Sequence, residues 1–288
     1  MNAGRLVILA GGISSRMKSS AAEGIDDRLQ KEASVISKAM IGVGANARPF
    51  LDYLLYNAGQ AGYRDVVIVV GEKDNSIRDH YGMLERGNTY AGLTISYAVQ
   101  PVPAGRTKPS GTADALLHAL RSRADWQGGY FTICNGDNLY SIDSLRRLCD
   151  PALRSAMIDY DRNAFRFEHS RAEQFAVIRR SAEGFLADLI EKPSAETVAE
   201  IERCDGRVGV SMNVFRLSYD KILPELERVP LHPQRQEKEL PIAVKMMAER
   251  FPDEVLLIPV SEHVPDLTSR NDIAAVQKYL AKNFPELL

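Results

Sequence analysis

The stretch Leu6-Val7-Ile8-Leu9-Ala10-Gly11-Gly12, close to the start of the chain, decides the fold. Its first four residues form a short, continuous apolar run, which is typical of a strand covered on both faces, as in a parallel sheet. The two glycines that follow let the backbone approach a ligand closely. In open α/β sheets, ligands bind in the crevice beyond the carboxyl ends of the strands. We therefore predict an α/β fold with a ligand-binding loop directly after the first strand.

The next part of the chain repeats the same alternation of strand and helix. Residues 65–70 (DVVIVV) predict a second buried strand, and residues 49–62 (PFLDYLLYNAGQAG) predict a helix that begins at a proline and ends at a glycine. Together with the first strand they form a β-α-β unit, whose crossover should be right-handed. Strands at 94–99 and 130–134 and a helix at 112–121 continue this parallel half.

After residue 150 the pattern changes. Residues 175–180 (FAVIRR) and 184–193 (GFLADLIEKP) predict an antiparallel pair, and residues 208–215 predict a further strand. A helix at 239–251, a strand at 254–260 and a helix at 271–283 complete the chain. The polar segment 18–35 is predicted to be a mobile loop, which could close as a lid on a bound ligand. The whole pattern predicts a mixed sheet with helices on both faces.

Composition excludes several classes of function. The 288 residues are 45% hydrophobic and 26% charged, and their formal net charge is −2. This balance is that of an ordinary globular protein, and it provides no basic surface for nucleic acid or an anionic membrane. No apolar stretch approaches the roughly 20 residues that span a bilayer, and the first residues show no secretory signal pattern. We therefore expect a cytoplasmic protein that binds neither nucleic acid nor membrane.

Two short motifs carry chemistry of their own. In LAGGISSRM (residues 9–17), backbone amides and the guanidinium of Arg16 suit the oxygens of a phosphate, although a tight turn with a surface arginine explains the same residues. In FTICNGDNLYS (residues 131–141), Asp137 directly follows a buried strand. A carboxylate there suits Mg²⁺, although aspartate is also a common turn residue. The chain has neither the GxxxxGK[ST] phosphate loop nor the GxGxxG dinucleotide fingerprint.

Taken together, the motifs resemble those of the sugar-1-phosphate nucleotidyltransferases, which open with L-A-[GA]-G-x-[GS]-[ST]-R-[ML]. Other stretches of the chain follow in the family's order: Gln100 with SGTADALLHAL (110–120), the GD pair at 136–137, LIEKP (189–193), GRVGVSMNVFRLS (206–218) and EHVPDLTSRNDIAAVQKYL (262–280). The resemblance covers nearly the whole chain. It implies a Rossmann-like, GT-A-like three-layer sandwich with a mixed, mainly parallel central sheet. It also implies one nucleotidyltransferase domain over residues 1–288, in which residues 1–150 bind the nucleotide and residues 151–288 bind the sugar.

The resemblance also implies a role for each site residue. The loop Leu9, Ala10, Gly11 and Gly12 would wrap the triphosphate, with Arg16 at its outer phosphates. Lys38, in ISKAMIGVGANARPFLDYLL (36–55), is the counterpart of the family's cradle lysine, but Ser37 stands where the family has proline and about a dozen extra residues precede it.

On the same basis, Gln100, Gly111 and Thr112 would read the base, and Asp137 and Asp266 would hold Mg²⁺. In the acceptor part, Glu191 and Asn213 would bind the sugar, and Lys192 would face its phosphate. The family's NAGIY is SMNVF here, and the tryptophan before its last aspartate is absent from this chain.

The reaction implied is transfer of a nucleotidyl group from a nucleoside triphosphate to a sugar 1-phosphate, with release of pyrophosphate. A phosphate monoester is already a nucleophile at neutral pH, so catalysis consists of positioning two anions and neutralising their charge. Nucleotidyl transfer to a non-sugar acceptor, such as a molybdopterin-type cofactor, is the nearest alternative, because its loop LAGGxSSRM is close to the one found here. An inactive regulatory protein of the same fold is another. The motifs leave the base open among uracil, thymine and cytosine.

Overall fold

A computed structural model of the chain describes residues 4–12, 17–18, 26–73, 75–166 and 175–287. The described strands form one sheet of 11 strands in the order β3-β4-β2-β1-β5-β10-β6-β9-β7-β8, with β11 beside β6. The strands are β1 Gly4–Leu9, β2 Tyr63–Gly71, β3 Asn88–Tyr90, β4 Leu93–Gln100, β5 Tyr130–Asn135, β6 Ala156–Asp161, β7 Val177–Arg180, β8 Leu186–Ile190, β9 Gly209–Val210, β10 Phe215–Ser218 and β11 Leu256–Val260.

Helices cover both faces of this sheet. They are α1 Asp27–Val35, α2 Phe50–Ala61, α3 Ser76–Tyr81, α4 Thr112–Ser122, α5 Ile142–Cys149, α6 Ala195–Asp205, α7 Tyr219–Arg228, α8 Leu240–Arg250 and α9 Asp272–Asn283. In the described part of the chain, no helix is both long and apolar enough to cross a membrane.

The first strand lies in the middle of the parallel half. β1 pairs in parallel with β2 on one side and with β5 on the other, and β2 pairs in parallel with β4. Because side chains alternate along a strand, Leu6 and Ile8 pack into the core formed with α2, α5 and α9, whereas Val7 packs against α4, α7 and α8. The predicted α/β class, with a mixed sheet between two helical layers, is therefore confirmed.

The second half of the sheet is mainly antiparallel. β10 runs antiparallel to β5, and β7 and β8 form the predicted antiparallel pair. β11 returns parallel to β6. The helix predicted at 49–62 is α2, with Pro49 before its first residue and Gly62 after its last in the left-handed region (φ 108°).

Two sequence predictions are wrong. Residues 27–35, predicted as part of a mobile loop, form α1, whose first turn is capped by the Asp26 carboxylate accepting the Leu29 amide at 2.8 Å. The rest of the predicted loop, residues 19–25, lies outside the described residues. Residues 208–215, predicted as one strand, contribute to two strands, because Asn213 adopts φ 54° and interrupts the extended backbone. Both strands pair with β6, but β9 has β7 as its other neighbour and β10 has β5.

Candidate active site

A cavity of about 420 Å³ opens at the carboxyl ends of β1, β4 and β5. From β1 the chain continues to β2 on one side, and it later returns to β5 on the other side. The order of the strands therefore reverses beside β1, which is where open α/β sheets form their ligand crevice. Most of the predicted site residues line this cavity: Leu9, Ala10, Gly11, Gly12, Lys38, Gln100, Gly111, Thr112, Asp137, Glu191 and Asn213.

The loop after β1 forms one end of the cavity. The Ala10 amide donates to Val69 of β2 at 3.0 Å, and the Gly136 amide donates to Leu9 at 2.9 Å, so the loop is fixed to both neighbouring strands. A side chain on Gly11 would lie 3.2 Å from the backbone of Val70, a distance that few Cβ atoms tolerate. A side chain at position 11 would therefore require a small shift of β2, and glycine avoids it. Arg16, predicted at the outer phosphates, lies outside the described residues.

Lys38 forms an ion pair with Asp137 across this end of the cavity. Both side chains are partly buried, with 23% of Lys38 and 15% of Asp137 exposed. Ser37, which precedes the lysine, has φ −57° and follows Ile36 in an extended conformation, so the backbone here has the shape that a proline would impose. The replacement of the family's proline has thus not displaced Lys38 from the cavity.

Asp137 and Asp266 lie on two segments that are hydrogen-bonded to each other. Asn138 and Asp266 form an antiparallel bridge, the Leu267 amide donates to the Asp137 carbonyl at 2.8 Å, and the Leu139 amide donates to Pro265 at 2.9 Å. Asp266 is only 8% exposed, and its Oδ1 accepts the hydroxyl of Thr268, which lines the cavity, at 2.6 Å. Asp137 lines the cavity, whereas Asp266 is not among the lining residues and is joined to the cavity wall through Thr268. Two carboxylates on paired segments suit a hard cation that takes few protein ligands and keeps several waters.

The charges of the cavity agree with this fit. Among its described lining residues, Lys38, Lys108 and Arg235 are cationic, and the carboxylates Asp137, Glu191, Glu237 and Glu239 leave one negative charge in excess. These groups alone would repel a polyphosphate, so an anionic ligand needs further positive charge in order to bind.

Gln100 lies at the end of β4 with only 4% of its surface exposed. Its Nε2 donates to the Gly111 carbonyl and to Asp114 Oδ2, each at 2.8 Å. Because a carbonyl and a carboxylate can only accept, they fix the orientation of the amide and leave Oε1 as its acceptor for a ligand. Gly111 is the residue before α4, and the first amides of a helix have no acceptor within it. The Oε1 acceptor of Gln100 and the amide donors at the start of α4 therefore lie on the same part of the wall and suit the edge of a base. Gly111 also caps the start of the helix.

The first two residues of the EKP motif, Glu191 and Lys192, have different positions relative to the cavity. Glu191 lines the cavity, whereas Lys192 is exposed and is not among the lining residues. Lys192 has φ 48°, in the left-handed region that non-glycine residues rarely adopt. The chain therefore turns directly after Glu191. Asn213, the other predicted sugar ligand, lines the cavity and has φ 54°. The backbone is therefore in the left-handed region both at Asn213 and next to Glu191, at Lys192.

The segment between α7 and α8, which we call the 231–239 loop, was missed by sequence reasoning. It brings Arg235, Glu237 and Glu239 into the cavity wall. The Arg235 guanidinium is 2.8 Å from Glu191 and 2.9 Å from Glu239, and Lys108 is 2.6 Å from Glu237. The sequence HPQRQEKELP gives no signal for this role, because it is typical of a solvated connection between helices.

The 231–239 loop is attached to the residues around Gly111. The Lys238 amide donates to Ser110 at 2.6 Å, the Ala113 amide donates to Lys238 at 3.0 Å, and the Leu240 amide donates to Thr112 Oγ1 at 2.9 Å. The predicted base-binding residues and the predicted sugar-binding Glu191 therefore share one wall of the cavity.

Comparison with known proteins agrees with this architecture. The family model described as "Nucleotidyl transferase" matches residues 22–223. A glucose-1-phosphate adenylyltransferase of Corynebacterium jeikeium is 27% identical over 162 residues, which cover 55% of this chain and 38% of that protein. A D-glycero-alpha-D-manno-heptose 1-phosphate guanylyltransferase of Aneurinibacillus thermoaerophilus is 28% identical over 125 residues, covering 43% of this chain and 47% of that protein.

A solved structure of UDP-glucose pyrophosphorylase in complex with UDP-glucose superposes with a TM-score of 0.69 and 16% identity. The superposition covers 98% of this chain and 99% of that one, so the two share a fold. The matched adenylyltransferases are longer proteins, and the aligned part of this chain spans about two-fifths of their length, 38% and 42% in two of them.

Proposed function

The chain belongs to the nucleotidyl transferase family, and we propose that it transfers a nucleotidyl group from a nucleoside triphosphate to a sugar 1-phosphate, giving a nucleoside diphosphate sugar and pyrophosphate. The observation that carries the proposal is the cavity at the reversal point of the sheet. There, the loop after β1, the Lys38–Asp137 pair, Gln100 and Glu191 line one space. The named activities of the matched adenylyl- and guanylyltransferases support the same type of reaction.

In the proposed reaction, a phosphate oxygen of the sugar 1-phosphate attacks the α-phosphorus of the triphosphate. The bond from the α-phosphorus to the bridging oxygen breaks, and that oxygen leaves with pyrophosphate. The loop Leu9 to Gly12, together with Lys38 and Arg16, steadies the leaving pyrophosphate. For Lys192 to meet the phosphate of the acceptor, its exposed side chain has to turn toward the cavity, which it does not line in this structure. Holding both anions in line supplies most of the rate, since no side chain needs to remove a proton.

Asp137 and Asp266 are the residues that would hold Mg²⁺, whose chemistry there is to neutralise charge on the α-phosphate. The excess of carboxylates in the cavity wall supports a need for added positive charge. Lys38, which is paired with Asp137 and lines the same cavity, is the described residue of this end that would offer a positive charge to a phosphate oxygen.

The two halves of the chain divide the substrates between them. Gln100, Gly111 and Thr112, from residues 1–150, bind the base, and Gln100 Oε1 accepts a hydrogen bond from it. Glu191 and Asn213, from residues 151–288, bind the hydroxyls of the sugar. The position of Glu191 in the same cavity favours a sugar acceptor over a molybdopterin-type cofactor.

A screen for pyrophosphate release tests the proposal. The purified chain is incubated with Mg²⁺ and each of the common nucleoside triphosphates, against a set of sugar 1-phosphates and against no acceptor. We expect release that requires both a triphosphate and a sugar 1-phosphate. Pyrophosphate release at the same rate with and without a sugar 1-phosphate would contradict the proposed function. So would the absence of release with every pair of substrates.

A further inference from the structure

Arg235 lies where the 231–239 loop meets the acceptor end of the cavity. Its guanidinium is 2.8 Å from Glu191 Oε2 and 2.9 Å from Glu239 Oε1. A planar guanidinium between two carboxylates holds each of them in a defined direction and reduces their mutual repulsion. The orientation of the Glu191 carboxylate is therefore set by a residue that none of the sequence motifs contains.

Glu239 is the fixed end of this arrangement. It is only 7% exposed, and its Oε2 is buried with no hydrogen-bond partner among the described residues. Its neighbours Lys238 and Leu240 are hydrogen-bonded to Ser110 and Thr112, so the backbone on both sides is anchored. Burial, together with the charge of Glu191, raises the pKa of Glu239. A buried carboxylate that is incompletely hydrogen-bonded costs stability, so its presence calls for a functional reason.

The charge at this end of the cavity is negative. Its lining residues include three carboxylates, those of Glu191, Glu237 and Glu239, but only two cations, Lys108 and Arg235. Lys108 is paired with Glu237 at 2.6 Å, and Arg235 is shared by the other two carboxylates. Both cations thus already have acidic partners, and one negative charge remains in excess.

On the basis of the proposed function, we infer that Arg235 is a positioning residue that holds Glu191 toward the hydroxyls of the acceptor. The same end of the cavity selects neutral sugar 1-phosphates over those that carry a carboxylate. Hydroxyl groups donate to carboxylates, whereas a uronic acid would place another negative charge beside the excess one. Repulsion of about 1.4 kcal/mol, expected for like charges some 6 Å apart in a partly screened site, corresponds to about a tenfold difference in rate.

Glucose 1-phosphate and glucuronic acid 1-phosphate, which differ only at C6, provide a matched pair of probes. With the best triphosphate from the pyrophosphate screen, we expect kcat/KM for the neutral probe to be about tenfold or more above that for the acidic one. Glu237→Gln removes one charge without touching Arg235, and it should narrow this ratio several-fold. Equal use of both probes by the unmodified enzyme would overturn the selection of neutral sugars.

The positioning role predicts a separate set of changes. Arg235→Ala should raise KM for glucose 1-phosphate about tenfold or more, because Glu191 and Glu239 are left unpaired, while KM for the triphosphate stays nearly constant. Arg235→Lys should restore part of the loss. Arg121→Ala is the matched control, since its partner Glu227 is on the exposed surface of α7, and it should leave both KM values unchanged.

The outcomes separate the inference from the function on which it rests. If no sugar 1-phosphate supports pyrophosphate release, the proposed function itself fails. If release is normal but Arg235→Ala behaves like the Arg121→Ala control, or raises both KM values equally, Arg235 does not position the acceptor site.

Discussion

Replacement of Gly111 by alanine tests whether the base-binding residues and the 231–239 loop form one wall. Gly111 has φ 102° and ψ −176°, a conformation that is almost restricted to glycine and costs other residues about 1–3 kcal/mol. An added Cβ would also lie 2.9 Å from both Glu237 Cβ and the Lys238 nitrogen, and closer still to the Lys238 carbonyl. Because two of these neighbours are backbone atoms, the loop itself must move.

That movement breaks the two backbone hydrogen bonds that join Lys238 to Ser110 and Ala113, each contributing about 0.5–1.5 kcal/mol. Summed with the backbone strain, Gly111→Ala should lower the free energy of unfolding by about 2–6 kcal/mol. Gly105→Ala is the control, because Gly105 precedes Gly111 in the same connection, has φ 80° and has nothing within 4 Å of the added atom. It should cost only about 1–2 kcal/mol.

Urea denaturation gives the two unfolding free energies, and steady-state kinetics gives KM for each substrate. For Gly111→Ala we expect a rise in KM for both the triphosphate and the sugar 1-phosphate, because the displaced loop carries Arg235. For Gly105→Ala we expect no rise in either KM. Equal losses of stability in the two variants, with normal KM values, would refute the account of the shared wall.

Four other substitutions test individual roles. Asp137→Asn should lower kcat by at least about a hundredfold. It should lower the free energy of unfolding by only about 1–3 kcal/mol, because it weakens one partly buried pair with Lys38; a near-normal rate would remove Asp137 from the mechanism. Lys192→Ala should depress the rate equally with every accepted sugar 1-phosphate, whereas Glu191→Ala should discriminate among sugars by about ten- to a hundredfold; small, uniform effects of both would favour a non-sugar acceptor. The pKa of Glu239 is raised in the folded protein by burial and by the charge of Glu191. The contribution of this carboxyl group to stability is therefore fully present below its pKa in the unfolded chain, about 4.3, and is lost as the pH rises through its pKa in the folded protein. Urea unfolding between pH 4 and 7 should therefore show the wild type losing stability relative to Glu239→Gln, and parallel curves would contradict this sign.

The parallel half of the fold was predictable because its signals are local. Apolar runs such as residues 65–70, and a helix bounded by Pro49 and Gly62, determine their structure within a few residues. The strand predicted at 208–215 failed for a tertiary reason. Asn213 is held in the left-handed region at the cavity wall, and an alternating sequence gives no sign of that strain. The helix at 27–35 was missed because its few apolar residues, such as Leu29, were outweighed by a polar composition.

The candidate site shows the same division. Motifs close to strand ends, such as Gly11 and Asp137, could be placed from the sequence because the carboxyl end of a parallel strand has a fixed relation to the ligand crevice. Arg235 and Glu239 could not, since their contact with Glu191 depends on how the connection between α7 and α8 folds against the residues around Gly111. Lys192 was predicted to serve the same ligand as Glu191 through a bend of the backbone, but in the structure only Glu191 lines the cavity and Lys192 is exposed.

Oxygen labelling tests the central claim most directly. Sugar 1-phosphate carrying ¹⁸O in its phosphate is incubated with an unlabelled triphosphate, Mg²⁺ and the enzyme, and the products are analysed by mass spectrometry. Attack by the acceptor phosphate on the α-phosphorus predicts a nucleoside diphosphate sugar that retains all of the label, together with pyrophosphate that contains none. Free nucleoside monophosphate with unchanged sugar phosphate, or label in the pyrophosphate, would contradict the proposed transfer.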